Sequence, residues 1–194
     1  MHKRSYYIIN AITAYRLLAA PVLIVLILFD NLNLFKWMLA ISFVTDFIDG
    51  FLARKFGVAS AFGSFLDSIA DDLTILAAII GVFVLKSQFI NDNIVIVSVL
   101  LLLDVFQTIF ALIKYRKISS FHTYLAKVAA IFQGAFLILI FFLAQPFYLL
   151  FYVAAIFTAL DLIEEIILVI ILRKWEANVK GLYWIFRKKT YTKI

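Results

Sequence analysis

Asp46, Asp49, Asp67 and Asp71 are the residues of this chain best spaced to do chemistry together. They stand in Asp46-x-x-Asp49-Gly50-x-x-Ala53-Arg54, followed after eight residues by Gly63-x-x-x-Asp67-x-x-x-Asp71. The flanking sequence is apolar, and one charge at bilayer depth costs roughly 2.5–3.5 kcal/mol on insertion scales. Carboxylates this dense cannot face lipid, so they must face one another and be neutralised by cations. Four carboxylates balance two divalent ions, and an oxygen donor set without cysteine or a histidine cluster favours Mg²⁺ or Mn²⁺ over Zn²⁺. Two such ions can clamp a pyrophosphate, polarise its phosphorus and stabilise a leaving phosphate oxygen. A carboxylate not fully committed to metal can take a proton from an attacking hydroxyl. Arg54, at the mouth of the cleft, can pair with a phosphate. These residues point to a metal-dependent membrane enzyme.

Helices must hold this arrangement. Positions 46, 49, 50 and 53 form one i, i+3, i+4, i+7 stripe, while Phe47, Ile48, Phe51 and Leu52 take the rest of the circumference. On the next helix Gly63, Asp67 and Asp71 recur every four residues, continued by Ala70, Thr74 and Ala78. Two helices, each with paired carboxylates, can thus converge on one cleft. The small residues on the same stripes let helices or a ligand come close. Asp72 is turned about 100° from Asp71 and is expected only to support the site.

The rest of the chain reads as membrane helices. Of its 194 residues 65% are hydrophobic and 15% charged, with a mean hydropathy of +1.06, which excludes a soluble domain. About 20 apolar residues cross a ~30 Å hydrocarbon core. Six transmembrane helices are expected, near 12–30, 34–55, 61–86, 93–115, 122–144 and 148–173. The expected architecture is an all-α integral membrane protein with one domain over 1–194. A short amphipathic lead-in (1–11) precedes the bundle (12–173), and a basic, aromatic tail (174–194) follows it. The start (His2, Lys3, Arg4, then an apolar run) has the look of a signal peptide. Arg16 interrupts the run and no cleavage pattern stands out, so a retained first helix is expected. Absent cysteine excludes disulfides and thiol nucleophiles. Of the 18 Lys and Arg residues, all but Lys36 and Lys86 fall on one side of this topology. Both termini and the aspartate cleft are therefore expected in the cytoplasm.

The pattern D-x-x-D-G-x-x-A-R-(x)8-G-x-x-x-D-x-x-x-D resembles the signature of the CDP-alcohol phosphatidyltransferases, and this chain matches every specified position. The motif covers 26 residues, and the six-helix length agrees with the family over the whole chain. The resemblance implies transfer of a phosphatidyl group from CDP-diacylglycerol to a small polar alcohol in phospholipid biosynthesis, releasing CMP. By that analogy Asp46, Asp49 and Asp67 bind metal, and Asp71 is both ligand and catalytic base. Asp46, Asp49, Gly50, Ala53, Arg54 and Gly63 would line the nucleotide and pyrophosphate site. The resemblance further implies two Mg²⁺ or Mn²⁺ ions, a homodimer and a bacterial-type cell membrane.

The acceptor is less legible. Asn10-x-x-Thr13-x-x-Arg16-x-x-x-x-Pro21 resembles the opening of family members that use glycerol 3-phosphate. Its plainer reading is a helix cap, a positive-inside arginine and a tolerated proline. Lys114, Arg116 and Lys127 form a basic group suited to an acceptor that carries its own phosphate, although positive-inside bias explains them as well. Ser68 and Asp72 stand where phosphatidylglycerophosphate synthases often have proline and lysine. Glycerol 3-phosphate is preferred, with inositol phosphate, inositol and serine as alternatives.

Asp104, Asp161, Glu164 and Glu165 admit several roles, from an acceptor cavity to interhelical hydrogen bonds. His122 reads as a residue at the start of a helix. The tail, with Trp175, Tyr183, Trp184 and Phe186 among Lys180, Arg187, Lys188 and Lys189, reads as an interfacial segment on lipid headgroups rather than a nucleic-acid binder. From another class, a small cation transporter with an aspartate-lined site would explain the carboxylates but not Gly50, Ala53, Arg54 and Gly63.

Overall fold

The computed structural model describes residues 2–56, 61–117, 121, 123–172, 174–176 and 179–191; side chains at 2–10, 47, 49–56, 61–65, 67–68 and 188–191 lie outside the described set. Every regular element among the described residues is helical. The order is α1 (His2–Leu28), α2 (Leu32–Phe56), α3 (Ala61–Leu85), α4 (Ser87–Asp92), α5 (Ile94–Tyr115), α6 (Tyr124–Phe142), α7 (Tyr148–Ile171) and α8 (Leu182–Tyr191).

Two differences from the expected boundaries have local causes. The lead-in is continuous with the first helix, because neither glycine nor proline breaks the chain before Pro21. The connection expected between α3 and α5 instead folds into the short α4, whose Phe89 and Ile90 are buried. The turn at Asp30 forms as its composition suggests. Asp30 takes the left-handed conformation (φ 52°), and Asn31 Oδ1 accepts the Leu34 N–H at 3.2 Å to cap α2.

Three stretches among the described residues are long and apolar enough to cross a membrane: Ala11–Leu28, Ile94–Tyr115 and Tyr124–Phe142. The long helices α2, α3 and α7 (25, 25 and 24 residues) would reach as far, but each carries three or more charged residues. Along α5, Leu102 and Ile113 are 68% and 76% exposed, an outward apolar surface suited to hydrocarbon.

The chain divides into two compact units. The first comprises residues 1–90 and 137–145. Within it α1 packs along both α2 and α3, which meet each other over a shorter stretch. Buried positions Thr13, Arg16, Ala20, Leu23 and Ile27 on α1 follow helical spacing, as do Phe35, Leu39 and Ser42 on α2. On α3 the buried face is Ala70, Thr74, Ala77, Ala78, Gly81 and Val82. Gly81 has a packing reason: a Cβ there would stand 2.5 Å from the Phe35 ring, itself packed edge-on against Phe141. Thr74 is satisfied within its own helix, donating to Ala70 O at 2.7 Å.

The second unit comprises residues 91–136 and 146–194. Its core gathers Ala111, Phe121, Leu168, Val169, Leu172 and Val179, with Leu182 and Ile185 of α8 packed against it. Val179, Leu182 and Ile185 of the tail thus pack onto α5 and α7.

Candidate active site

The buried stripe of α2 runs Phe35, Leu39, Ser42, and its next turn brings Asp46 to the same side. On α3 Asp71 follows the fully buried Ala70. α1 lies against both helices and carries Arg16 at this level. The Arg16 guanidinium is 1% exposed, with Nη1 2.8 Å from Asp46 Oδ1, and its Nη2 pairs with Asp71 Oδ1. The two carboxylates are 38% and 36% exposed. They are partly exposed, while the cation that joins them is buried. The desolvation of a buried guanidinium must be offset by charged, geometrically matched acceptors. Two carboxylates from different helices provide that match.

Asp46 and Asp71, from two helices, therefore meet on the Arg16 guanidinium. Asp72, one position on, is exposed. Asp49, Gly50, Ala53 and Arg54 lie on the backbone of α2, and Gly63 and Asp67 on that of α3. The side chains of these six fall outside the described residues, and among the described residues no group of three potential metal ligands occurs. The donors that are described suit a divalent cation. They are hard carboxylate oxygens on two helices, already drawn together by positive charge, and their chemistry matches Mg²⁺ or Mn²⁺.

Arg16 is the residue that sequence reasoning undervalued. Taken alone it passes for a positive-inside arginine. Its signal was its register: Thr13, Arg16, Ala20 and Leu23 share one face, so the arginine points where the core residues point.

The three basic candidates for the acceptor lie in the second unit. Lys114 Nζ donates to Val169 O (2.6 Å) and Ile170 O (3.1 Å), carbonyls at the C-terminal end of α7. Such carbonyls lack intrahelical partners, and a cation there also meets the negative end of the helix dipole. Lys114→Ala is accordingly expected to destabilise the fold by about 1 kcal/mol, read as a lower thermal midpoint in detergent. Arg116 is exposed and closes α5 in the left-handed conformation (φ 55°), with its N–H donated to Leu112 O at 2.8 Å. Lys127 is exposed, its Nζ 5.3 Å from the centroid of the Tyr124 ring.

The acidic residues of α7 do not converge on one partner. Asp161 accepts from the Thr123 hydroxyl at 3.3 Å, Glu164 from the Leu182 N–H at 3.0 Å, and Glu165 from the Gln107 amide at 2.5 Å. One turn before them, Thr158 Oγ1 accepts from the Gln133 amide at 2.6 Å. These contacts tie α7 to α5, to the start of α6 and to α8, which is the interhelical role among those the sequence left open. Asp104 is exposed on α5, and His122 lies outside the described residues.

The family described as CDP-alcohol phosphatidyltransferase matches this chain over residues 6–181. A CDP-diacylglycerol–glycerol-3-phosphate 3-phosphatidyltransferase of Rickettsia typhi is 34% identical over 87 residues, 43% of this chain and 47% of that protein. Proteins of the same name from Cereibacter sphaeroides and Wigglesworthia glossinidia brevipalpis are 38% identical over 80 residues and 31% over 97. Those alignments take in 39% and 48% of this chain, and 36% and 52% of the relatives. The chain spans about half the length of the curated relatives it matches. No solved structure gives a significant match. With the aspartate motif complete, two of its carboxylates joined across α2 and α3, and the family match extending over nearly the whole chain, the protein belongs to the CDP-alcohol phosphatidyltransferase family.

Proposed function

We propose that this protein transfers a phosphatidyl group from CDP-diacylglycerol to glycerol 3-phosphate, releasing CMP, in phospholipid biosynthesis. The observation that carries the reading is the convergence of Asp46 and Asp71, from two helices, on a single guanidinium inside an intact family motif. The names of the relatives favour glycerol 3-phosphate over inositol phosphate, inositol or serine as acceptor.

Asp46, Asp49, Asp67 and Asp71 would hold two Mg²⁺ or Mn²⁺ ions, which supply charge neutralisation and polarisation of the pyrophosphate. The chain's residues do the rest. Asp71 takes the proton of the acceptor hydroxyl. The acceptor oxygen then bonds to the lipid-bearing phosphorus as the bond from that phosphorus to the bridging oxygen breaks, and the electron pair leaves with CMP. Arg54 offers a fork to the phosphates, and Gly50, Ala53 and Gly63 leave room for the nucleotide beside the helices.

The same reading places six helices across the bilayer, counting α2, α3 and α7 with the three apolar spans. Among their charges Asp46, Asp49, Asp67 and Asp71 belong to the cleft and Asp161, Glu164 and Glu165 to hydrogen bonds with neighbouring elements, and both termini face the cytoplasm, where glycerol 3-phosphate and CMP are soluble. A homodimer in a bacterial-type cell membrane completes it.

The test is CMP release from CDP-diacylglycerol by the purified chain with Mg²⁺, across glycerol 3-phosphate, inositol phosphate, inositol and serine. Release that requires glycerol 3-phosphate supports the proposal, and release with another alcohol reassigns the acceptor. A protein that binds Mg²⁺ but neither binds CDP nor releases CMP would fit a cation transporter instead.

A further inference from the structure

Arg16 lies outside the motif helices, yet it reaches two motif aspartates at once. Its guanidinium is 1% exposed, with Nη1 2.8 Å from Asp46 Oδ1 and Nη2 paired with Asp71 Oδ1. These are oxygens that a divalent cation bridging α2 and α3 would draw on. A carboxylate offers a limited set of lone-pair directions, and the fixed fork of a guanidinium already takes one on each residue. The competition is therefore between a tethered monovalent cation and a diffusible divalent one. An incoming phosphate changes the balance, because it offers the guanidinium a second anionic acceptor of matching geometry.

We propose that Arg16 is an internal counter-ion that competes with the divalent cation for Asp46 and Asp71 until the substrate's phosphates take up its guanidinium. This rests on the reading of Asp46 and Asp71 as metal ligands under the proposed function. Arg16 acts on the metal through those aspartates and meets the substrate only at its phosphates. Its consequence is coupling: the nucleotide tightens the metal because it releases Arg16, and by linkage the metal tightens the nucleotide equally.

The experiment is Mn²⁺ binding to the purified 194-residue chain in detergent, followed by electron paramagnetic resonance with and without CDP. In the unmodified protein, CDP is expected to tighten Mn²⁺ by about tenfold. Without CDP, Arg16→Gln is expected to bind Mn²⁺ about tenfold more tightly than the unmodified protein, since the carboxylates no longer spend most of their time on the guanidinium. In that variant the effect of CDP should shrink to about twofold or less. Arg16→Lys keeps a cation at the same place, guards against loss of the fold, and is expected to fall between the two. Weaker Mn²⁺ binding in the variants would show that Arg16 props the carboxylates for metal, and it would overturn the proposal. Full coupling to CDP in either variant would overturn it equally. No Mn²⁺ binding by the unmodified chain, with or without CDP, would remove the metal site itself and the reading beneath it.

Discussion

Asp71→Asn is expected to lower CMP release by about a thousandfold or more, because it removes a proton acceptor and a charged metal ligand in one change. Asparagine keeps the size of the side chain and an oxygen that can still accept from Arg16 Nη2. It cannot accept the acceptor hydroxyl's proton, and it contributes no charge. The buried guanidinium would then lean on Asp46, 2.8 Å from Nη1, so part of the helix contact survives. CDP binding is expected to remain measurable, which separates lost chemistry from lost structure. Asp72→Asn is the natural control. Asp72 is exposed on the same turn, and its change alters net charge equally without touching Arg16 or the cleft. Equal loss in both variants would point to local charge rather than to Asp71, and full activity in Asp71→Asn would end its role as base.

The second large effect is expected from removing residues 176–194. Val179 is 8% exposed in the core of the second unit, and Leu182 and Ile185 pack against that core. The Tyr124 N–H donates to Lys180 O at 3.2 Å, and the Leu182 N–H donates to Glu164, whose carboxylate sits at the start of α8. Stripping these apolar side chains from Phe121, Leu168 and Val169 costs on the order of 3–5 kcal/mol, at about 1.5–3 kcal/mol for each fully buried side chain. The thermal midpoint is expected to fall by about 10 °C, given a shift of roughly 2–4 °C per kcal/mol for a chain of this size. Turnover per folded molecule is expected to persist, since no group assigned to the chemistry lies beyond Asp71. A truncation that keeps its thermal midpoint but loses turnover would move the tail into the site. Gly181→Ala is a milder version of the same test. Gly181 holds φ at 138°, and a Cβ would meet the Glu164 carboxylate at 3.1 Å, so α8 should dock less firmly.

Much of this could be read along the chain because a helix repeats locally. Residues three and four apart share a face whatever surrounds them, so the long helices and the small, buried face of Ala70, Thr74 and Ala78 on α3 followed from spacing alone. That carboxylates in an apolar sequence need a positive partner could be argued from charge alone, and the partner that Asp46 and Asp71 share is Arg16. Partners between helices do not repeat locally. Arg16 and Asp71 are joined across a large separation in sequence, and nothing within one turn of either announces the other. Lys114 reads in sequence as a candidate phosphate ligand, yet it meets the end of α7, and Asp161, Glu164 and Glu165, close along one helix, find partners on different elements. Spacing along the backbone decided which side chains turn inward together. Helix packing decided which opposite charge, carbonyl or hydroxyl each one meets, because that depends on long-range contacts to which no local period corresponds.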